Sequence, residues 1–179
     1  MASFNEDREG TKPQVPDCVR PSGTAQYAMA TLTLDTQFGP LGLVEEDGAI
    51  VALKWTSQSV GAPSALLREG VSQLRAYAEG RLTRFDLPLK VVGSDFQQAV
   101  CAAISDIPFG DTKTYGDIAK ALGAPAQAVG GACGGNPIPV IIPCHRVMGA
   151  KGLTGFSGAG GIETKVALLR HEGAAGLLI

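Results

Sequence analysis

Ala126-Gln127-Ala128-Val129-Gly130-Gly131-Ala132-Cys133-Gly134-Gly135-Asn136-Pro137-Ile138-Pro139-Val140-Ile141-Ile142-Pro143-Cys144-His145-Arg146-Val147 is the stretch on which the chain turns. Its first ten residues have almost no side-chain bulk. Pro125 suits the first turn of a helix and Gly134-Gly135 its end, so Ala126 to Cys133 is expected to be helical. Glycine inside a helix costs ~1 kcal/mol against alanine, so the adjacent Gly130 and Gly131 need a reason. One reason is close packing on another helix. The other is insertion of a slim helix into a narrow groove. The DNA minor groove is only ~6 Å wide, and slim side chains let backbone amides reach phosphates. Composition leaves both open. The remainder, Asn136 to Val147, is expected to run extended because of its three prolines.

Upstream, Thr114 or Tyr115 begins a short helix, Gly116 to Leu122, which Gly123 ends. The two helices make a helix-turn-helix outline, an arrangement that also serves as a plain packing unit. Tyr115 reads either as a half-buried core tyrosine or as a side chain that crowds a phosphate and favours rotation of a nucleotide. Ser94-Asp95 caps a helix from Phe96 to Ile104, and Ile107-Pro108-Phe109-Gly110 is a connector. Downstream, a glycine-rich loop spans Gly149 to Gly161. Ile162 to Glu172 is then an amphipathic helix stopped by Gly173.

Farther upstream the periodicity is that of strands. Met29 to Leu34 alternates and Gly39-Pro40 marks a turn. Leu41 to Val44 and Ala49 to Trp55 flank the Glu46-Asp47-Gly48 hairpin. Ser64 caps a helix with apolar positions Leu66, Leu67, Val71, Leu74 and Tyr77, and Gly80 ends it. Phe85 to Val92 is a short extended link. Residues 1–25 lack periodicity and read as a flexible tail. The fold class is α/β, in the α+β sense.

Hydrophobic residues make up 45% and charged residues 18%, enough for a buried core. A net charge of −2 gives no bulk attraction to nucleic acid, so DNA binding would rest on local fit. Cys18, Cys101, Cys133 and Cys144 show no Cys-x-x-Cys spacing, and the only histidines are His145 and His171. No metal site is expected. There is no secretory start and no apolar run of membrane-spanning length. The expectation is free thiols in a reducing compartment, cytoplasmic, or nuclear in a eukaryote.

Pro143-Cys144-His145-Arg146 carries the chemistry. A cysteine attacks as thiolate, and its free pKa is near 8.5. An imidazole takes the proton and a carboxylate orients the imidazole. Glu172 suits the last role if the final helix packs on the site. In an extended run Cys144 and His145 point to opposite faces, unless the chain turns there or a water bridges them. An inert buried cysteine and a cysteine hydrolase fit these residues too.

The stretch from Val129 to Val147 resembles the active-site signature of the O6-alkylguanine-DNA alkyltransferases (methylated-DNA–protein-cysteine methyltransferases). Phe96 to Gln98, Ile107 to Gly110, Thr114-Tyr115-Gly116, Gly155-Phe156-Ser157 and Leu168 to Gly173 match in the same order. The resemblance covers residues 26–174, more strongly from 94 onward. It implies a ribonuclease H-like domain over 26–90 and a winged helix-turn-helix alkyltransferase domain over 94–175. It also implies a monomer that binds duplex DNA through the minor groove and flips out an O6-alkylguanine, O4-alkylthymine being a second possible lesion.

By position, Cys144 is the implied alkyl acceptor, His145 the water-linked base and Glu172 its orienter. Asn136 steadies the turn into the site, and Tyr115 assists nucleotide rotation and protonates the departing guanine. The Val147 backbone, Phe156 and Ser157 contact the base. Ala126, Gln127, Ala128, Gly131 and Gly134 face DNA beside Tyr115. Arg146 pairs with a carboxylate. A thioether offers no good leaving group, so each molecule reacts once, without a cofactor.

The chain departs from the family pattern in places. Gln127 stands where many members carry an arginine that fills the gap left by the flipped base. Gly134 lacks a phosphate-binding side chain found in some relatives. Residues 123–129 look about two residues short, and 158–161 slightly long. Cys133 and Cys101 read as packing residues. Three rivals stand beside alkyl transfer: a non-catalytic lesion-binding protein of this fold, a cysteine hydrolase using Cys144, His145 and Glu172, and a transcriptional regulator that senses alkylation.

Overall fold

Strands β1 (Ala30–Thr36), β2 (Gly39–Glu46) and β3 (Ala49–Trp55) form an antiparallel sheet in that order. The computed structural model describes residues 29–153 and 155–174. The expected tail over 1–25, with Cys18, lies outside them. Asp47 (φ 51°) and Gly48 (φ 75°) both adopt the left-handed backbone that a tight two-residue hairpin turn demands. The first turn is Gln37-Phe38 rather than the expected Gly39-Pro40, which opens β2. A strand's start tolerates proline, and the Pro40 carbonyl accepts the Thr56 amide at 3.0 Å.

Helix α1 (Ala65–Ala78) lies across the sheet. Ser64 caps it by accepting the Leu67 amide at 3.0 Å. Its buried stripe is Leu67, Gly70, Leu74 and Tyr77. Gly70 sits so close to Leu43 that a Cβ there would collide with it. The extended link then joins the edge of β3: Ile50 N–H donates to Pro88 O at 2.8 Å and Lys90 N–H to Ile50 O at 3.0 Å.

The second half is helical. Helices α2 (Asp95–Ser105), α3 (Tyr115–Leu122) and α4 (Ala126–Gly134) pack on one another. Thr114 is the cap of α3 and forms a reciprocal capping box with Asp117, while Gly123 ends the helix in left-handed geometry. Pro125 is itself the cap of α4 rather than part of its first turn. Gln97 Nε2 ties α2 to α4 by donating to Ala132 O at 2.8 Å. Strands β4 (Lys113–Thr114) and β5 (Val147–Met148) pair in parallel, and helix α5 (Gly161–His171) closes the described chain.

The run from Asn136 to Val147 is not extended. Prolines forbid helix and ladder hydrogen bonds, but they leave tight turns open, and Asn136 supplies the bonds. Its Nδ2 donates to Ile142 O at 2.8 Å and its Oδ1 accepts the Ile138 amide at 3.0 Å. Ile142 N–H donates to Ile138 O at 2.8 Å, with Val140 at φ 73° inside the turn. Pro143 (φ −81°, ψ 64°) makes an inverse γ-turn, closed by Cys144 N–H donating to Ile142 O at 2.8 Å. Cys144–Arg146 then wind as a single 3-10 turn.

The buried apolar residues of both halves form one continuous cluster, from Phe38 to Leu168. Leu53 N–H donates to Pro137 O at 2.9 Å, so β3 also grips the turn leading to Cys144. No helix among the described residues is long and apolar enough to cross a membrane.

Candidate active site

A 3-10 turn separates successive side chains by about 120°. Cys144 can therefore face one way while His145 and Arg146 face another, which an extended strand would not allow. His145 and Arg146 converge on Glu172, just past the end of α5. His145 Nε2 lies 2.7 Å from Glu172 Oε1. Arg146 donates from Nε to Oε2 at 2.8 Å, from Nη2 to Oε1 at 3.0 Å, and from Nη1 to Ile107 O at 2.6 Å. Tyr77, arriving from α1, donates its phenol to Glu172 Oε1 at 2.7 Å.

The electrostatics assign the protons. Burial pushes the Glu172 carboxyl up, but hydrogen bonds from His145, Arg146 and Tyr77 outweigh it and hold its pKa at about 2. An ionised carboxylate only accepts, so His145 Nε2 carries the hydrogen and Nδ1 carries the lone pair. Burial lowers the His145 pKa, with Glu172 opposing, so the ring rests neutral. Its Nδ1 is buried and has no hydrogen-bond partner among the described residues. Burial also holds the Tyr77 phenol protonated.

On its other side the turn presents Cys144 to a cavity of about 130 Å³. Tyr115 at the start of α3, Gly130, Cys133 and Gly134 of α4, and the loop residues Gly155, Phe156 and Ser157 complete the lining. Burial raises the Cys144 pKa above the ordinary thiol value, opposed by the Asn136 side chain and the Lys165 charge. At neutral pH this is a thiol that needs a base. The loop is braced from the first half, where Trp55 meets Phe156 edge-on at 5.9 Å. Any side chain at Gly158 would strike both rings.

Of the residues singled out in the sequence, Cys144, Tyr115, Phe156, Ser157 and Gly134 share the cavity. His145, Glu172 and Asn136 stand behind it. Val147 is fully buried and outside the lining; its N–H donates to Cys144 O, and its carbonyl accepts Lys165 Nζ at 2.5 Å. Ala126, Gln127, Ala128, Gly131 and Gly134 are exposed along α4. A Cβ at Gly130, Gly131 or Gly134 would meet nothing within 4 Å, so packing does not require glycine there.

Three residues of this region have a place at the site that the sequence reading did not give them. Tyr77 sits on an apolar helical stripe, and its polar partner is 95 residues away. Cys133 borders the cavity instead of merely packing. Lys165 is fully buried. A signal for Lys165 did exist, because it precedes Leu168 and Leu169 by three and four residues and shares their helix face.

Residues 95–174 match the family model described as 6-O-methylguanine DNA methyltransferase, DNA binding domain. A methylated-DNA–protein-cysteine methyltransferase of Mycobacterium tuberculosis is 45% identical over 151 residues, covering 78% of this chain and 90% of the relative. One of Methanosarcina acetivorans is 49% identical over 110 residues, covering 60% and 69%. The crystal structure of the Mycobacterium tuberculosis O6-methylguanine methyltransferase superposes with a TM-score of 0.71 at 44% identity, covering 80% of this chain and 92% of that one. The Mycobacterium tuberculosis protein in complex with DNA gives 0.70 at 44%, covering 79% and 91%. With a mixed α/β fold, a cysteine-histidine-glutamate site and relatives of this identity and coverage, the chain belongs to the methylated-DNA–protein-cysteine methyltransferase family.

Proposed function

We propose that the chain repairs DNA by moving an alkyl group from the O6 oxygen of guanine onto Cys144, once per molecule. The observation that carries this reading is the buried His145. Its Nε2 is committed to Glu172 and its Nδ1 has no partner among the described residues, one residue from a cysteine that faces a cavity.

The Cys144 proton passes through a bridging water to His145 Nδ1, and the Glu172 carboxylate stabilises the imidazolium that forms. The thiolate attacks the alkyl carbon, so an S–C bond forms as the C–O bond breaks. Tyr115, which lines the same cavity, delivers a proton to the departing guanine. Asn136 keeps the turn before Cys144 closed. Ser157 and Phe156, on the cavity wall, bind the base. The thioether has no leaving group, and the protein is consumed without a cofactor.

Binding follows from α4. Its exposed face from Ala126 to Gly134 is thin enough for the minor groove, with Ala126, Gln127, Ala128, Gly131 and Gly134 against the strands and Tyr115 favouring rotation of the lesion outward. In this reading residues 26–90 form a ribonuclease H-like domain, residues 94–175 a winged helix-turn-helix domain, and the protein acts as a monomer on duplex DNA.

Incubation with an O6-methylguanine duplex should add one methyl group to Cys144, seen by peptide mass spectrometry. Cys144→Ala should bind the duplex yet gain nothing. Binding by wild type with no adduct would favour a lesion-binding protein, and repeated ester cleavage without DNA would favour a hydrolase.

A further inference from the structure

Cys144 is not the only thiol on the cavity wall. Cys133, in the last turn of α4, lines the same space of about 130 Å³. The two thiols therefore share one small space. The chain between them is a closed turn that returns to the same cavity. Asn136 N–H donates to Cys133 O at 3.3 Å, and the Asn136 side chain closes the turn that returns the chain to Cys144. Both cysteines are free and buried, each about 5% exposed. Cys101 is also free, but it does not line the cavity and its sulfur already accepts Gln97 Nε2 at 3.4 Å. Beside Cys133, Gly130, Gly131 and Gly134 have open space where side chains would stand, so no side chain of theirs screens the Cys133 thiol from the cavity.

We propose that Cys133 and Cys144 form a dithiol site that peroxide converts to an intramolecular disulfide, shielding the alkyl acceptor from irreversible oxidation. The Cys144 thiolate attacks a peroxide oxygen, so an S–O bond forms, the O–O bond breaks, and hydroxide leaves and is protonated to water. The Cys133 sulfur then attacks the Cys144 sulfenic acid. The S–S bond forms, the S–O bond breaks, and the departing hydroxide takes the Cys133 proton. Two thiols and one peroxide become one disulfide and two waters. The two thiols divide the work. Burial, and then the Cys144 charge, push the Cys133 pKa up to about 12, so Cys133 is a thiol at neutral pH and gives up its proton only as the hydroxide leaves Cys144. The site depends on the proposed function only in treating Cys144 as the reactive thiol.

The test uses the full chain and hydrogen peroxide. Intact mass should fall by two hydrogens, peptide mapping should find Cys133 joined to Cys144, and dithiothreitol should restore the starting alkyl-transfer activity. In Cys133→Ala and Cys133→Ser, checked for folding by thermal melts, peroxide should add two oxygens to Cys144, with activity lost for good. Oxygen on wild-type Cys144 beside a free Cys133, or a crosslink to Cys101, would overturn the proposal. A Cys133–Cys144 crosslink in a protein whose untreated form transfers no alkyl group would uphold it while rejecting the repair function.

Discussion

Glu172→Gln removes one charge from a site where three side chains converge, and its cost can be worked out. A carboxyl whose folded pKa lies below its unfolded value stabilises the fold above the unfolded pKa and loses that stabilisation as pH falls through the folded one. For Glu172 the values are 4.5 and about 2. At neutral pH the difference corresponds to about 3 kcal/mol. Roughly 2 kcal/mol of that disappears between about pH 6 and about pH 3. Breaking a buried ion pair by removing one partner independently gives ~3–5 kcal/mol, because the Arg146 guanidinium loses its counter-charge and finds one acceptor oxygen where the carboxylate offered two. The glutamine variant should therefore unfold in urea at lower concentration at neutral pH. The gap to wild type should narrow by roughly 2 kcal/mol as the pH is lowered over that interval. A gap that stays constant down to about pH 3 would mean that Glu172 is not held ionised by these donors, and the proton assignment of His145 would fall with it.

Gly131→Ala meets no neighbour, so it should raise stability by up to ~1 kcal/mol through helix propensity. It should weaken duplex binding in an anisotropy titration; unweakened binding would separate the glycines from the groove. Gln127→Arg should tighten duplex binding and steepen its salt dependence by about one phosphate contact; unchanged or weaker binding would reject the idea. Tyr77→Phe removes one hydrogen bond to an ionised group. It should cost ~1.5–3 kcal/mol in urea unfolding, and a loss below ~0.5 kcal/mol would show that the bond is not formed in solution.

The helices were legible because their ends are marked by residues with local jobs. Ser64, Ser94 and Thr114 each accept an amide three residues on, and Gly123 and Gly173 take left-handed geometry. Cys144, His145 and Glu172 were legible as a set because their chemistry is complementary. Asn136 to Val147 misled because prolines exclude helix without choosing between strand and turn, and the choice was made by one asparagine side chain bonding both ends of the loop. The Gln37-Phe38 turn was displaced by two residues because glycine and proline also tolerate a strand's start. Tyr77 and Lys165 acquire their roles only through partners distant in sequence, Glu172 and the Val147 carbonyl.

The carboxylate that gathers Tyr77, His145 and Arg146 also ties an early part of the chain to a late one. Residue 77 is made early and residue 172 late, so this buried knot closes only after nearly all of the described residues have been synthesised. A chain truncated before residue 172 leaves the imidazole and the guanidinium without their shared counter-charge and the Tyr77 phenol without its acceptor.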